Sequence, residues 1–399
     1  MISVQQADRI ISQNVKDFPA IGKPLGRALG ALLREDIKAD RDIPSFNKAL
    51  MDGIAISFSS YREGQRRFTI EGIQSAGHQT IQRAHREDHC IEIMTGAVVP
   101  EGYDCVVPIE DVQIKKGEAF LKEKILLRPL QNIRLKAADY TKGQILLKKG
   151  ASLLAPQIGI CASVGKNLVK VSRAPKIAII STGDELVDIH AKAIKPFQVR
   201  QSNAYALEAA FKTNFFEAQM FHIKDDPKVL LKEINSILKK FDCLVLSGGV
   251  SMGKFDYVPR VLKDLGVNVL FHKVAQKPGK PFWFGKTKSQ KLVFALPGNP
   301  VSTVICAYRY VIPALKNGLK IEKEEEWAIL NQDFKVRTDF TFFLPVKKIP
   351  NKTRQLLVNP VAFSGSGDFV ALGNADGFVE LPAGQKLFKK GLAVRFFPW

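Results

Sequence analysis

Short apolar runs and amphipathic stretches alternate along the second half of the chain. Lys176–Ile180 is an apolar run that reads as a buried strand. Ser202 or Asn203 can cap a helix running to about Lys212, and Phe216–Ile223 is the next strand. Asp226-Pro227 opens a helix to Lys240, with Asp at the cap and Pro at the first helical position. Asp242–Leu246 reads as a strand, Tyr257–Leu265 as a helix, Val267–Val274 and Lys291–Leu296 as strands, and Val301–Leu315 as a helix. This alternation predicts an open, mainly parallel sheet with right-handed crossovers.

The period changes on either side. Residues 1–35 read as helical, with an apolar face and an arginine-bearing end at Arg27 and Arg34. Residues 51–130 are short strand-like runs broken by Gly, Pro and Asp, such as Gly53-Ile54-Ala55-Ile56 and Cys105-Val106-Val107, and predict a small β-domain. Residues 132–170 form a connecting region with further short strands. The tail from about Glu325 is strand-like again, with GSG and ADG turns, and reads as a separate C-terminal β-domain.

With 399 residues the chain exceeds one ordinary domain. Composition is that of a soluble globular protein, at 46% hydrophobic and 25% charged. No apolar run reaches the roughly 18 residues of a membrane helix. Residues 1–16 lack the charged start and apolar block of a signal peptide. The five cysteines are scattered, odd in number and form no CxxC pair, which predicts reduced thiols and a cytoplasmic protein. The net charge of +20 attracts anions, though a solvated basic surface would carry it equally well. Without zinc-finger spacing, a basic arm or an aromatic–basic RNA signature, the charge does not by itself imply nucleic acid, and a small anionic substrate accounts for it.

Three glycine-bearing motifs each follow a predicted strand: Ser181-Thr182-Gly183-Asp184-Glu185-Leu186, Ser247-Gly248-Gly249-Val250-Ser251-Met252-Gly253, and Leu296-Pro297-Gly298-Asn299-Pro300. Ligands of open α/β sheets bind beyond the carboxyl ends of the strands, so parallel strands would bring all three to one rim. Their backbone N–H groups suit phosphate or another oxyanion. Any one of them alone reads as a tight strand-to-helix turn. Asp184, Glu185 and Asp256 could hold a hard cation such as magnesium, or could serve as caps. Lys277-Pro278-Gly279-Lys280-Pro281 offers two lysines to phosphate or another oxyanion, or is a rigid basic loop. His85, His89 and Cys90 have no second ligand pair at zinc spacing, so no zinc site is expected. The six histidines form no diagnostic nucleophile constellation.

Taken in order, these motifs resemble the molybdopterin molybdenumtransferase (MoeA) family, which includes the C-terminal domain of gephyrin. Phe46–Ile56, Ile93–Asp111 and Asn132–Gly143 resemble its early signatures. STGDEL, SGGVSMGKFDY, KPGKP and LPGNP follow in its order, and Gly365–Phe369 with NADGFVELP close the chain. The resemblance implies a multidomain α/β plus β fold. Residues 1–45 and 134–173 would form an elongated, discontinuous N-terminal dimerisation domain, and 46–133 an inserted β-domain. Residues 174–320 would form a central MogA-like open parallel α/β molybdopterin-binding domain, and 325–399 a C-terminal β-barrel-like domain.

It also implies a homodimer with active sites near the subunit interface. The reaction implied is molybdate insertion into adenylylated molybdopterin with AMP release, assisted by a divalent metal, usually magnesium. Asp52, Thr95, Asp139, Glu185, Asp225, Asp256, Lys273 and Lys277 match active-site positions of the family. Glu185 and Asp256 are the metal ligands expected. Substrate contacts are expected from Ser181, Thr182, Gly183, Asp184, Ser247, Gly248, Gly249, Ser251, Gly253, Lys273, Lys277, Lys280, Pro297, Gly298, Asn299, Pro300 and Ser366. The partner expected is the adenylyltransferase that supplies the pterin; no nucleic acid and no membrane are expected. Asn47 and Ala138 stand where many members are acidic, and Lys254 where an acidic residue often follows GGVSxG. The alternative is a catalytically altered relative that binds pterin or serves as a scaffold.

Overall fold

The computed structural model describes residues 1–82, 86–249, 257–321, 325–350 and 355–399. The chain divides into two compact units. One comprises Met1–Arg34, Ser152–Leu154 and Val169–Trp399, and the other Glu35–Ala151 and Ala155–Leu168.

The larger unit is built on a six-stranded sheet. Ile177–Thr182 lies between the parallel strands Ala218–Ile223 and Cys243–Ser247, and Leu292–Leu296 extends the parallel set beyond Cys243–Ser247. Every residue of the Ile177–Thr182, Cys243–Ser247 and Leu292–Leu296 strands is buried, because side chains alternate between two covered faces. Ile177, Ile179, Cys243, Val245 and Phe294 face a core shared with the helices Asn203–Thr213 and Pro300–Cys306. Ala178, Ile180, Leu244, Leu246, Val293 and Ala295 face a second core with Pro227–Lys240 and Val258–Asp264. Asp226 caps its helix, accepting from the N–H groups of Lys228 and Val229 at 2.9 Å each.

The sheet ends differently from the sequence expectation. Trp283–Lys286, not recognised as a strand, pairs antiparallel with Leu292–Leu296, and Asn268–His272 pairs antiparallel with it in turn. Both are apolar segments too short for periodicity to assign direction. The expected helix from Val301 begins at Pro300, passes through a π-turn at Ala307–Val311 and continues to Leu319.

The expectation of a helix over residues 1–35 is corrected. Only Val4–Asn14 is helical, with Ser3 and Gln6 forming a capping box, and Ala20–Pro24 is a strand paired with Leu168–Ser172. Pro19, Gly22, Pro24 and Gly26 break the helix, by missing donors and backbone entropy. Val4, Ala7 and Ile11 are buried in the core of this same unit.

Beyond residue 325 the strands Glu326–Leu330, Thr341–Ile349, Leu357–Pro360, Gly377–Leu381 and Ala393–Pro398 close into a five-stranded barrel. Gln276–Lys277, from the loop preceding Trp283–Lys286, adds alongside Thr341–Phe342. Arg309, on the π-turn and 1% exposed, donates to both Asp8 oxygens at 2.7 Å and to Glu380 at 2.8 Å. One buried guanidinium thus ties the first helix, the helix after the Leu296–Pro300 turn and the barrel together. Burial alone would lower its pKa, but the carboxylates outweigh burial and raise it above the ordinary value.

The second unit contains its own six-stranded sheet. Gly53–Ile56 lies between His89–Ile93 and Cys105–Pro108, and Arg67–Gln74, Glu118–Leu121 and Val112–Lys115 extend it. Ile54, Ile56, Phe68, Cys90, Cys105 and Val107 fill one core beside it. All five cysteines are unpaired and buried. Burial pushes the thiols of Cys90, Cys105 and Cys306 up to about 12, so they stay protonated.

Candidate functional site

The parallel strands bring the glycine turns to one rim of the larger unit. Ser181 pairs in register with Ser247, and Ser247 with Leu296, so the three turns leave the sheet side by side. Thr182 pairs with Ile223, which sets Asp225 beyond the neighbouring strand end. His272 and Trp283 are paired, so the Lys277–Pro281 loop between their strands emerges on the same side. Lys273, Lys277 and Lys280 therefore belong to this rim as well.

The turns touch one another through backbone. Gly248 adopts φ +97°, and a Cβ there would stand 2.8 Å from the Thr182 carbonyl oxygen. A Cβ on Gly298 would lie 3.6 Å from the Gly248 Cα. Gly183, at φ +137°, leaves room for the Glu185 carboxylate, one oxygen of which would be 2.5 Å from an added Cβ. Any side chain at Gly248 would push apart two strand ends, which is the physical reason for glycine there.

Asp184 and Glu185 are exposed, and Asp184 Oδ1 accepts from the Asp225 N–H at 3.3 Å. Asp184, Glu185 and Asp225 thus follow the ends of two adjacent strands. Ser251, Gly253, Lys254 and Asp256 lie outside the described residues, as does His85. Among the described residues no group of three or more His, Cys, Asp or Glu side chains is arranged to hold a metal. The oxygen donors of Asp184, Glu185 and Asp225 are nonetheless those a hard cation prefers, and the space over Gly183 is kept open for one of them.

The barrel reaches the rim. Asn299 Nδ2 donates to Ser366 Oγ at 2.8 Å, and the Ser366 carbonyl accepts from the Val301 N–H at 3.1 Å. Asp368 accepts from the backbone and hydroxyl of Ser364 at 2.9 and 3.1 Å, holding the GSGD loop that carries Ser366. Thr303 Oγ1 closes the Pro297–Pro300 turn by donating to the Pro297 and Asn299 carbonyls at 2.5 and 3.1 Å. The lysine loop is anchored by Gln276, fully buried, whose Nε2 donates to the Gly279 carbonyl at 3.1 Å and whose Oε1 accepts from Tyr310. Lys277 and Lys280 point away from this anchor and are exposed; Lys280 Nζ sits 5.5 Å from the Phe340 ring centroid.

Asn203 was expected only to cap a helix. Ser202 makes no side-chain cap bond, and Asn203 Nδ2 instead donates to Ser247 Oγ at 2.9 Å and to the Gly298 carbonyl at 2.7 Å. Nothing in the sequence distinguished this asparagine from an ordinary cap, because both partners are distant along the chain.

Asp52, Thr95 and Asp139 lie in the other unit. Asp52 Oδ1 accepts from the Thr95 N–H at 2.6 Å and from Thr95 Oγ1 at 2.7 Å. The backbone bond first, and the hydroxyl second, hold the Asp52 carboxyl below its ordinary 3.8, so it is a carboxylate at neutral pH. Asp139 is ion-paired with Arg134. Both line a cavity of about 440 Å³ with Ile43, Ala138 and Tyr140. Asn47 Oδ1 accepts from the Lys136 N–H at 2.9 Å, a structural bond that an aspartate could also accept. His89 bonds to Asp88 at 2.7 Å rather than to Cys90.

Three protein families match consecutive parts of the chain. Residues 2–165 match the MoeA N-terminal region (domain I and II), 178–317 the "Probable molybdopterin binding domain", and 328–399 the MoeA C-terminal region (domain IV). A protein of Synechocystis sp. named molybdopterin molybdenumtransferase is 36% identical across 100% of both chains. This chain belongs to the MoeA family. A Staphylococcus epidermidis protein of the same name is 32% identical over 98% of this chain and 94% of its own. The solved MoeA protein from Pyrococcus horikosii superposes with a TM-score of 0.81 at 30% identity, covering 100% of this chain and 99% of that one. The α/β rim with its three turns lies within the stretch matching the molybdopterin-binding family, and the Ser366 loop within the C-terminal MoeA region.

Proposed function

We propose that this protein is a molybdopterin molybdenumtransferase, a transferase of molybdenum cofactor biosynthesis. It inserts molybdate into adenylylated molybdopterin and releases AMP, the final step of cofactor assembly. The observation that carries this reading is the full-length relationship to an enzyme of that name.

The rim supports it chemically. Both substrates are anions, and the chain's charge of +20 raises their local concentration. Backbone N–H groups of the Ser181–Asp184, Ser247–Gly249 and Pro297–Pro300 turns donate to phosphate oxygens where glycine permits close approach. Lys273, Lys277 and Lys280 neutralise the diphosphate and stabilise charge on the departing AMP. The Asn299–Ser366 bond positions the barrel loop beside these turns.

The catalytic set assigned is Asp52, Thr95, Asp139, Glu185, Asp225 and Asp256. Bare carboxylates would repel anionic substrates, so Glu185 and Asp256 are assigned to hold magnesium or another divalent cation. When bound, the cation supplies positive charge at the diphosphate. The carboxylate oxygens of Asp184, Glu185 and Asp225 suit such an ion by donor type. Thr95 keeps Asp52 ionised through its two hydrogen bonds.

The protein acts in the cytoplasm as a homodimer, with domains divided at 1–45 plus 134–173, 46–133, 174–320 and 325–399. The adenylyltransferase that makes its substrate is the delivery partner. Exposed apolar side chains, among them Leu29, Phe215 and Leu168, support self-association. Light scattering at micromolar concentration then gives a dimer; a monomer rejects that part of the proposal. The reaction is tested by incubating purified protein with adenylylated molybdopterin. AMP appears only when molybdate and a divalent cation are both present, and release indifferent to molybdate overturns the specific reaction.

A further inference from the structure

Two buried oxygens at the rim have no hydrogen-bond partner among the described residues: Thr182 Oγ1 and Asn203 Oδ1. Thr182 is 3% exposed, and its hydroxyl would lie 2.9 Å from a Cβ on Gly249. Asn203 reaches the same turn from the other side through Ser247 Oγ. The orientation of its amide follows from chemistry. The Gly298 carbonyl can only accept, so nitrogen faces it, and the oxygen is turned toward a group that donates. A buried polar atom left unmatched costs about 1–3 kcal/mol and calls for an explanation.

Both atoms flank turns already assigned to substrate, yet Asn203 Oδ1 is unsuited to its anionic parts, whereas the Thr182 hydroxyl can donate or accept. Molybdate and fully ionised phosphate carry acceptors only, and an amide oxygen cannot pair with them. Asn203 Oδ1 requires an N–H or O–H donor. Adenylylated molybdopterin carries such donors on its pterin and on its adenosine half, and none on its phosphates when these are fully ionised. Resting on the function proposed above, we infer that Asn203 and Thr182 form a hydrogen-bonding pair that reads the donor groups of the bound pterin or adenosine, while the Asn203 amide nitrogen sets the spacing of the Ser247 and Gly298 turns. Asn203 is therefore both a binding and a positioning residue. The pair gives the rim discrimination that glycine turns and lysines, which read charge, lack.

Thr182→Val separates this from a structural role. It removes a hydroxyl that has no hydrogen-bond partner among the described residues and keeps the side chain's shape. The variant's melting temperature should match or exceed the parent's, while its affinity for adenylylated molybdopterin falls about tenfold, the loss of one hydrogen bond at a buried group. Asn203→Ala should weaken the same ligand at least as much, and by a clearly larger factor than it weakens molybdate alone. Separate titrations with molybdopterin and with AMP distinguish the sources. Weakening confined to molybdopterin assigns the pair to the pterin, and weakening confined to AMP assigns it to the adenosine. Unchanged affinity for all ligands in Thr182→Val overturns the inference. So does an Asn203→Ala variant that loses molybdate and heterocycle affinity equally, since Asn203 would then only space the turns. A parent protein that binds none of these ligands overturns the function itself instead.

Discussion

Replacing Arg309 by Met keeps much of the side chain's volume and removes its charge. The guanidinium is 1% exposed and makes three charge-assisted bonds, two to Asp8 at 2.7 Å and one to Glu380 at 2.8 Å. Its loss leaves two carboxylates behind. Glu380 is only 10% exposed and cannot recover full hydration, whereas Asp8, at 33%, regains water readily. Breaking a buried pair by removing one partner costs roughly 3–5 kcal/mol, and the exposure of Asp8 favours the lower figure, about 3 kcal/mol. For a unit of this size each kcal/mol lowers Tm by about 2–4 °C, so a fall of roughly 6–12 °C is expected. Scanning calorimetry of the parent and variant measures it. The triple variant Asp8→Asn, Arg309→Met, Glu380→Gln should recover part of the loss, because no uncompensated charge remains. The helix carrying Arg309 begins at the Pro297–Pro300 turn, so turnover should fall along with stability. An Arg309→Met protein that melts within a degree or two of the parent would refute the reasoning and make the ion triad energetically neutral.

Two other outcomes follow from the sites. Glu185→Gln or Asp256→Asn should cut turnover by at least about a hundredfold while circular dichroism and Tm stay near the parent's, because each change removes charge and keeps the side chain's size; unchanged turnover in both variants would make them caps or surface groups. Thr95→Val removes one of two bonds that depress Asp52, so its pKa should rise toward 3.8 in an NMR titration. Asp52 is depressed in the folded protein, so its contribution to stability is present above the unfolded value and is lost as pH falls through the folded one. Thr95→Val should therefore lose that contribution at a higher pH than the parent; an unchanged titration would mean that the backbone bond alone holds the carboxylate.

Local chemistry made the central α/β region readable from sequence. Buried parallel strands must be apolar on both faces, so Ile177–Thr182, Cys243–Ser247 and Leu292–Leu296 announce themselves as continuous runs. Asp226-Pro227 is a start signal whose partners are two and three residues away. The glycine turns were legible for the same reason, and their common rim followed once parallel strands were assumed. The sequence alone could not decide where non-local pairing overrides local preference. The stretch after Asn14 leaves the helix because Ala20–Pro24 finds a strand partner near residue 170. Trp283–Lys286 runs antiparallel because its neighbour is the hairpin-linked Leu292–Leu296. The Asp8–Arg309–Glu380 triad and the Asn203 bridge join residues 44 to 301 positions apart, barrel closure also pairs strands distant along the chain, and no periodicity encodes such contacts. Asn203 carries the same side chain whether it caps a helix or clamps two turns; only the folded sheet, by setting Ser247 and Gly298 within reach, decides which.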